Sequence, residues 1–232
     1  MKIAEIYRSR QGEGLLSGTP SAFVRTSGCN LRCWFCDTPF ASWHPEGDDL
    51  SVEEIHSRVE QLDCEHVVLT GGEPMLWAEL IPLAQGLREA GRHITIETAG
   101  TLYLPLACDL MSISPKLAHS GPSADGPARL PLAWSRRHER ARHAPDVVRR
   151  LISEHPYQLK FVIDDLADCE LVERYLEEMP EIDRSRVLLM PQGVDSAALA
   201  ERTAWLAPYC RAGGVQFCPR LHIEWYGLAR GT

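Results

Sequence analysis

Apolar residues recur along the chain with two periods, one typical of strands and the other typical of helices. Short runs rich in apolar residues predict strands at residues 22–26, 66–70, 93–97, 109–113, 158–163, 186–190 and 214–217. Apolar residues three and four apart predict the intervening helices, over residues 51–62, 76–91, 146–154, 165–176 and 195–207. This alternation predicts βαβ units, and therefore a sheet of six or seven mainly parallel strands.

Local signals add boundaries to this pattern. Ser51 followed by Glu54 is a capping-box pattern, which predicts the start of a helix. Gly, Pro and Ser are concentrated at residues 118–133, which predicts a loop. The sequence contains no internal repeat and no linker between two units, so we expect one domain over residues 1–232.

The composition argues against several classes of protein. The chain has 232 residues, 44% of them hydrophobic, and a formal net charge of −8, which disfavours broad nucleic-acid binding. It has no apolar stretch of about 18 residues and no signal-peptide core at its start, so we expect no membrane span and no membrane partner. We expect a cytoplasmic protein, and eight cysteines suit that reducing compartment.

Positive charge is concentrated in one segment of this acidic chain. Residues 129–150 hold seven arginines against Glu139 and Asp146. The arginines are Arg129, Arg136, Arg137, Arg140, Arg142, Arg149 and Arg150. Such a run is most often a solvated helix surface, but it could also be a basic face for an acidic redox partner or for a phosphate.

Three of the eight cysteines form a compact group. Cys29, Cys33 and Cys36 follow a C-x3-C-x2-C spacing, which can aim three thiolates at one [4Fe–4S] cube and leave its fourth iron open for chemistry. A structural zinc site is the alternative, with His44 as the nearest fourth ligand. The other cysteines are scattered and are expected in the core; they are Cys64, Cys108, Cys169, Cys210 and Cys218.

The cysteine loop resembles that of the radical S-adenosylmethionine (radical SAM) enzymes, in which an aromatic residue, here Phe35, precedes the last cysteine. The run Thr70-Gly71-Gly72-Glu73-Pro74 resembles the segment of those enzymes that binds the methionine ammonium of the cofactor. The resemblance implies a [4Fe–4S] cluster, S-adenosylmethionine, and an α/β fold that is a partial, open (β/α) barrel. Functional residues are then expected at the C-terminal ends of the strands.

Further motifs narrow the resemblance. Residues 11–14, 23–25, 36–38 and 113–116 read Gln-Gly-Glu-Gly, Phe-Val-Arg, Cys-Asp-Thr and Ile-Ser-Pro-Lys, and together they closely resemble the 7-carboxy-7-deazaguanine synthase family. These lyases convert 6-carboxy-5,6,7,8-tetrahydropterin to 7-carboxy-7-deazaguanine with loss of ammonia, in queuosine and deazapurine biosynthesis. The resemblance implies Mg²⁺, a flavodoxin or ferredoxin as reductant, and a homodimer. Residues 117–150 match nothing in the family and are expected to be a divergent insertion.

The resemblance also implies roles for individual residues. The cluster ligands are Cys29, Cys33 and Cys36, and the magnesium ligand is Thr38. The substrate-binding residues are Arg10, Gln11, Gly12, Glu13, Arg25, Thr70 and Glu97. The residues that contact S-adenosylmethionine are Phe35, Asp37, Gly72, Glu73, Ser114, Pro115, Lys116, Met190 and Gln192. No side chain is expected to act as an acid or a base.

Several of these residues have an ordinary alternative. The fork of Arg25 suits a substrate carboxylate but could merely reach solvent. Asp37 could help to hold magnesium or could cap a turn. Glu97 could accept hydrogen bonds from a ribose or a guanidine-like edge, or its hydrogen-bonding partners could all lie within the protein. Met190 could be a packed core residue instead of a cofactor contact. His222, near the C-terminal end, could approach the active site or could be a packed surface residue, and packing is the favoured interpretation.

Two other functions stay open on the sequence alone. A radical SAM activating enzyme would generate a glycyl radical on a protein partner, and the arginine-rich segment could be its docking surface. A non-enzymatic zinc module would use the cysteine loop but would give no role to residues 70–74.

Overall fold

A computed structural model describes residues 1–122 and 131–232, and a single nine-stranded sheet lies at the centre of this part of the chain. The strands are β1 (Lys2–Arg10), β2 (Pro20–Thr26), β3 (Asp48–Asp49), β4 (His66–Gly71), β5 (His93–Thr98), β6 (Leu110–Ile113), β7 (Tyr157–Ile163), β8 (Val187–Pro191) and β9 (Gln216–Phe217). Their order across the sheet is β3-β1-β2-β4-β5-β6-β7-β8-β9. Strands β2 and β4 to β9 are parallel to one another, whereas β1 and β3 pair antiparallel at one edge.

Helices connect the parallel strands. They are α1 (Pro39–Ser42), α2 (Val52–Gln61), α3 (Leu80–Glu89), α4 (Leu132–Arg142), α5 (Pro145–Glu154), α6 (Leu166–Glu178), α7 (Ser196–Gly213) and α8 (Leu221–Tyr226). Short 3₁₀ turns lie at Pro74–Leu76, Ala118–Ser120 and Arg184–Arg186. Within the two described ranges, no helix has both the length and the apolar composition that a membrane crossing requires.

The predicted open, mainly parallel α/β fold is confirmed. The seven predicted strands correspond to the seven parallel strands, and the sheet stays open because β3 and β9 are its edges. The capping box at Ser51 is present, with Glu54 N–H donating to the Ser51 hydroxyl and Ser51 N–H donating to the Glu54 carboxylate. This arrangement satisfies two N–H groups at the start of α2 that the helix itself leaves free.

Several boundaries differ from the sequence prediction. The helix predicted from residue 76 begins only at Leu80, because Pro74–Leu76 forms a separate turn. Helix α7 continues past Pro208 to Gly213, where the left-handed Gly214 ends it. The loop predicted at 118–133 ends earlier, since α4 begins at Leu132; its residues 123–130 lie outside the described part of the chain.

The parallel strands give the sheet two chemically different faces, because successive side chains of a strand point to opposite sides. The register places Leu69 beside Ile96, and Phe161 beside Leu189, on one face. This face is apolar and is buried in the main core with side chains of α2, α3, α5, α6 and α7. The opposite face becomes polar toward the C-terminal ends of the strands, where it carries Arg25, Thr70, Glu97, Ser112 and Lys160.

Candidate functional site

Two adjoining cavities open on the polar face, where the parallel strands end. The first, which we call the cysteine cavity, is lined by Cys29, Cys33 and Cys36 and contains about 1000 Å³ of empty space, part of it open to solvent. The second, the outer cavity, is lined by residues of β1, β2 and the C-terminal segment. The two share a common wall of six residues, which are Glu13, Asp37, Thr38, Thr70, Gly71 and Glu97.

The cysteine loop leaves the end of β2 and closes on itself. Gly28 N–H donates to Ala41 O across 2.7 Å, which brings the two ends of the loop together. Gly28 has a φ of +111°, a conformation that side-chain-bearing residues rarely adopt. Between these ends, Cys36 N–H donates to Cys33 O across 3.3 Å and forms a turn. The closed loop therefore presents three thiols to one cavity wall.

The segment after β4 holds the base of this loop. Glu73 N–H donates to Gly28 O across 2.8 Å. A Cβ at Gly72 would lie 2.3 Å from Gly28 O and 2.5 Å from Ala41 O, so only glycine allows this approach. The predicted cofactor contact Gly72 does line the cysteine cavity. The close approach of Gly72 to Gly28 O and Ala41 O would require glycine at this position even without a cofactor.

Glu73 lies behind the cavity wall rather than on its surface. Its carboxylate accepts hydrogen bonds from Thr98 Oγ1 at 2.8 Å, Ala99 N–H at 2.9 Å and Met75 N–H at 3.1 Å. Complete burial raises the pKa of Glu73, although these donors oppose the shift. In this arrangement Glu73 joins the ends of β4 and β5.

Most of the predicted cofactor contacts do share the cysteine cavity. Those that line it are Phe35, Asp37, Gly72, Ser114, Lys116, Met190 and Gln192. Pro115, like Glu73, is not among the lining residues. The Lys116 ammonium donates to the carbonyl and the hydroxyl of Ser114, both at 2.7 Å, so these two side chains form one polar unit.

The donor set fits an iron–sulfur cluster better than a single metal ion. Among residues 1–122 and 131–232, no three His, Cys, Asp or Glu side chains come together closely enough to hold one ion. His44, the proposed fourth zinc ligand, is exposed and does not line the cavity. Burial raises the pKa of Cys29 to about 11 and that of Cys33 to about 12, so a cationic centre must face them to favour the thiolates.

Three predicted substrate residues meet in the wall between the two cavities. The Glu97 carboxylate accepts a hydrogen bond from Gln11 Nε2 at 3.0 Å and another from Thr70 Oγ1 at 2.9 Å. Gln11 Oε1 in turn accepts from Glu13 N–H at 3.1 Å. These contacts fix the orientation of each polar group before any ligand binds.

A buried ion network adds two residues that the sequence motifs do not contain. Glu13 forms salt bridges with Lys160 and, at 3.3 Å, with Arg220, which also pairs with Asp37. Burial alone would raise the pKa of Glu13, but the charges of Lys160 and Arg220 hold it well below the usual range. Because Asp37 follows Cys36, Arg220 connects the cysteine loop to the loop after β1.

Arg25 and Arg10 line the outer cavity, and both guanidinium groups already have partners. Arg25 Nε donates to Glu5 at 2.7 Å, and its Nη2 donates to the Tyr7 hydroxyl at 3.0 Å. Arg10 lies over the Trp225 ring, with 4.3 Å from Cζ to the ring centroid. These contacts hold both cations at the cavity wall.

His222 lies beside the candidate site, which is the less favoured of its two expected positions. It lines the outer cavity, and its Nδ1 lies 3.7 Å from Glu13. A Cβ at Gly12 would lie 2.6 Å from His222, which explains the glycine. The backbone also joins the two segments here, because Leu221 N–H donates to Gly12 O at 3.0 Å.

Helix α4, from the segment expected to be a divergent insertion, supports the outer side of the cysteine loop. His138 is almost completely buried, and its Nδ1 accepts a hydrogen bond from Arg32 N–H at 3.0 Å. Its Nε2 lies 3.0 Å from the Ser120 hydroxyl, which donates to Leu117 O. This chain of bonds requires a neutral imidazole, and burial lowers the pKa of His138 to about 4.

The five scattered cysteines are buried, as predicted. The motifs missed Ser42, whose Oγ lies 3.0 Å from Cys36 Sγ, and also Lys160, Arg220 and His138. Lys160 had a detectable signal, because it is a lysine at an alternating position of a mainly apolar strand. The other three lie in segments with no such pattern.

Comparisons with known proteins agree with this geometry. The profile of the radical SAM superfamily matches residues 23–158. A 7-carboxy-7-deazaguanine synthase of Rhodopirellula baltica is 45% identical over 231 residues, covering 99% of this chain and 88% of the relative. The synthase of Halobacterium salinarum is 41% identical over 238 residues, covering 100% and 93%. Among solved structures, QueE from Escherichia coli superposes with a TM-score of 0.70 at 22% identity, over 95% of this chain and 94% of that one.

Proposed function

Because the chain belongs to the radical SAM superfamily and, within it, to the 7-carboxy-7-deazaguanine synthase family, we propose that it converts 6-carboxy-5,6,7,8-tetrahydropterin to 7-carboxy-7-deazaguanine and ammonia. The product has the atoms of the substrate less one ammonia, so the overall reaction needs no net oxidant. The observation that carries the proposal is the junction of the two cavities, where residues that line both of them form a polar network beside the three thiols.

The cysteine cavity is the proposed site of the cofactors. Cys29, Cys33 and Cys36 would hold a [4Fe–4S] cluster, and the seven predicted contacts in its wall would surround S-adenosylmethionine. Bound together, the two groups would supply a carbon radical able to remove a hydrogen atom from the substrate. The protein's own contribution would be to hold both groups in the cysteine cavity where it meets the outer cavity, so that the pterin would lie in direct contact with them.

The outer cavity is the proposed site of the pterin. Glu97, oriented by Gln11 and Thr70, offers acceptors for the N–H groups of an aminopyrimidine ring. Arg25 is held in one plane by Glu5 and Tyr7 and would present its remaining edge to the substrate carboxylate. Burial disfavours the charge of Arg25, but the partners Tyr7 and Glu5 more than compensate and raise its pKa, so it stays charged.

Magnesium would lie at the junction of the cavities, beside the Thr38 hydroxyl. Asp37 is already paired with Arg220, so Thr38 would be the main protein ligand. Water and oxygen atoms of the bound substrate would complete the coordination, as is usual for Mg²⁺.

The activating-enzyme alternative is not favoured, because relatives that match the whole length of the chain carry the synthase name. We also propose a homodimer, a flavodoxin or ferredoxin as electron donor, and a cytoplasmic location. Sedimentation, donor-dependent turnover and fractionation of the native cell test these three points separately.

The function is tested by anaerobic incubation of reconstituted protein with dithionite, S-adenosylmethionine, Mg²⁺ and the carboxytetrahydropterin. We expect 7-carboxy-7-deazaguanine and ammonia in equal amounts, with less than one methionine released per product. Glu97→Gln is expected to slow product formation without lowering the iron content. Cleavage of S-adenosylmethionine without any deazapurine would refute the assignment.

A further inference from the structure

The seven arginines of residues 129–150 fall into two groups when their partners are considered; Arg129 lies outside the described residues. Arg142 pairs with Glu139, Arg149 with Asp146 and Glu181, and Arg150 with Glu154. In contrast, three exposed arginines of α4 have no acidic partner within the described parts of the chain. These are Arg136, Arg137 and Arg140.

Arg136 and Arg140 lie on the solvent side of α4, and the exposed Arg137 lies at its margin, with 5.2 Å from Cζ to the centroid of the Trp134 ring. Position 140 is four residues after 136 and three after 137, so its side chain neighbours both and the three form one cationic patch. Leu132, one turn before Arg136, is 63% exposed and extends the patch with an apolar end. We call these four residues the α4 patch. Arginine is enriched in protein interfaces relative to the rest of the surface, and Leu132 adds exposed apolar area to this patch.

The other side of α4 contacts the cysteine loop directly. His138 binds the backbone of Arg32, which precedes Cys33. The Arg32 guanidinium lies over the Trp134 ring, with 4.3 Å from Cζ to the ring centroid. Helix α4 therefore lies between the α4 patch and the loop that carries the thiols, and it contacts that loop directly.

We propose that the α4 patch is the docking surface for the electron donor, a small acidic redox protein that carries a flavin or an iron–sulfur cluster. This inference rests on the proposed function, which requires low-potential electrons at the cysteine cavity. In the redox step the donor loses one electron and the cluster held by the cysteines gains it, with no bond made or broken and no proton moved. Transfer of this kind becomes steeply slower with distance, and α4 is a helix in direct contact with the cysteine loop.

Charge complementarity selects an acidic partner. The chain as a whole has a formal net charge of −8, so it repels an acidic protein from most directions. A local group of arginines with no acidic partner among residues 1–122 and 131–232 would orient such a protein during its approach to the cysteine loop. Electron-transfer complexes are typically small and transient, and a patch of this size suits one.

Binding and electron transfer test the proposal separately. The variant Arg136→Glu, Arg137→Glu, Arg140→Glu is compared with a control that has the same change in charge on three exposed arginines of other helices, Arg58→Glu, Arg174→Glu, Arg211→Glu. The probe is a purified bacterial flavodoxin, and its dissociation constant is measured by titration calorimetry at several salt concentrations. We expect the α4 variant to bind at least about tenfold more weakly and to lose most of the salt dependence, and the control to stay within about threefold of wild type.

Turnover adds a second readout. Flavodoxin-driven product formation should fall in the α4 variant, whereas dithionite-driven formation should not change, because dithionite needs no docking surface. The milder variant Arg136→Gln, Arg137→Gln, Arg140→Gln serves if the charge reversal impairs folding. Equal effects of the α4 and control variants, or unchanged flavodoxin binding in the α4 variant, would overturn the proposal. Wild-type protein that binds flavodoxin as expected but makes no deazapurine with dithionite would refute the proposed function and leave the docking surface standing.

Discussion

The two faces of the sheet are made by the same strands but depend on different physics. On the apolar face, side chains such as Phe161 and Leu69 are buried with other hydrophobic residues. The stabilisation is therefore distributed over many similar contacts. On the polar face, Lys160 is the neighbour of Phe161 in the chain, yet it lies in a salt bridge to Glu13 more than a hundred residues away. The apolar face stabilises the fold through the hydrophobic area that it buries, whereas the polar face depends on a few specific ionic and hydrogen-bonded pairs.

Neighbouring substitutions on β7 give the sharpest contrast. Phe161→Ala should destabilise the protein by about 3–5 kcal/mol, because it leaves a large cavity in a fully buried site. Urea denaturation measures this loss, and the rate per folded molecule should be close to that of wild type. A loss below about 1 kcal/mol would show that the apolar face is not the main source of stability.

Lys160→Met should lower product formation more than it lowers stability, the reverse of Phe161→Ala. Glu13 keeps Arg220 as a partner, so we expect a moderate loss of about 1–3 kcal/mol, while product formation falls far more than in Phe161→Ala. Denaturation and single-turnover assays of the same preparation measure both effects. Retained activity with a stability loss as large as that of Phe161→Ala would contradict the division between the faces.

His138 tests whether α4 positions the cysteine loop. His138→Ala removes the acceptor of Arg32 N–H and the partner of Ser120, at an expected cost of about 1–3 kcal/mol. Iron content after reconstitution should fall, and the electron paramagnetic resonance signal of the reduced cluster should broaden or shift. His138→Gln, which retains an acceptor, should recover part of both. Unchanged spectra in the alanine variant would limit α4 to a structural role.

Thr70 and Thr95 lie on the same polar face, but only Thr70 lines the cavities. Thr70→Val removes the hydrogen bond to Glu97 at the shared wall and should cost less than about 1.5 kcal/mol of stability, with a clear rise in the KM for the pterin. Thr95 is also buried on this face but does not line either cavity. Thr95→Val should therefore leave KM unchanged, and an equal effect on KM would contradict the placement of the substrate.

The smallest predicted effect is on acid stability. The pKa of Glu13 is lowered in the folded protein, so this carboxylate stabilises the fold above its unfolded pKa of about 4.3, and the contribution is lost as the pH falls below that value. The Glu13→Gln variant should lack this component, so its stability should fall less steeply than that of wild type between about pH 5 and pH 3. Parallel pH profiles would contradict the assigned ion network.

The sequence was sufficient for the apolar face and only partly sufficient for the polar one. Apolar periodicity identified all seven parallel strands, because their buried residues form strong local patterns. It missed β1, whose mixture of apolar and charged residues breaks the alternation, and β3, which has only two residues. The arginine run was interpreted as a solvated helix surface, but periodicity gave α4 no bounds because the helix has a single buried residue, His138.

The motifs identified many cavity residues, but they gave no account of how those residues are held. Arg220 pairs with Asp37 across 183 positions of the chain, and Lys160 pairs with Glu13 across 147. No local pattern reports such pairs, since they exist only after the sheet register and the C-terminal segment are in place. The same reason explains why surface packing was the favoured interpretation of His222.

The central claim is that the polar face holds an iron–sulfur cluster through three cysteines with one iron open to S-adenosylmethionine. Electron–nuclear double resonance of the reduced, reconstituted protein with ¹⁵N-amino and ¹⁷O-carboxylate S-adenosylmethionine tests it most directly. We predict hyperfine coupling from both labels, which requires the methionine end of the cofactor to bind iron. A correctly loaded [4Fe–4S] cluster without coupling from either label would contradict the account.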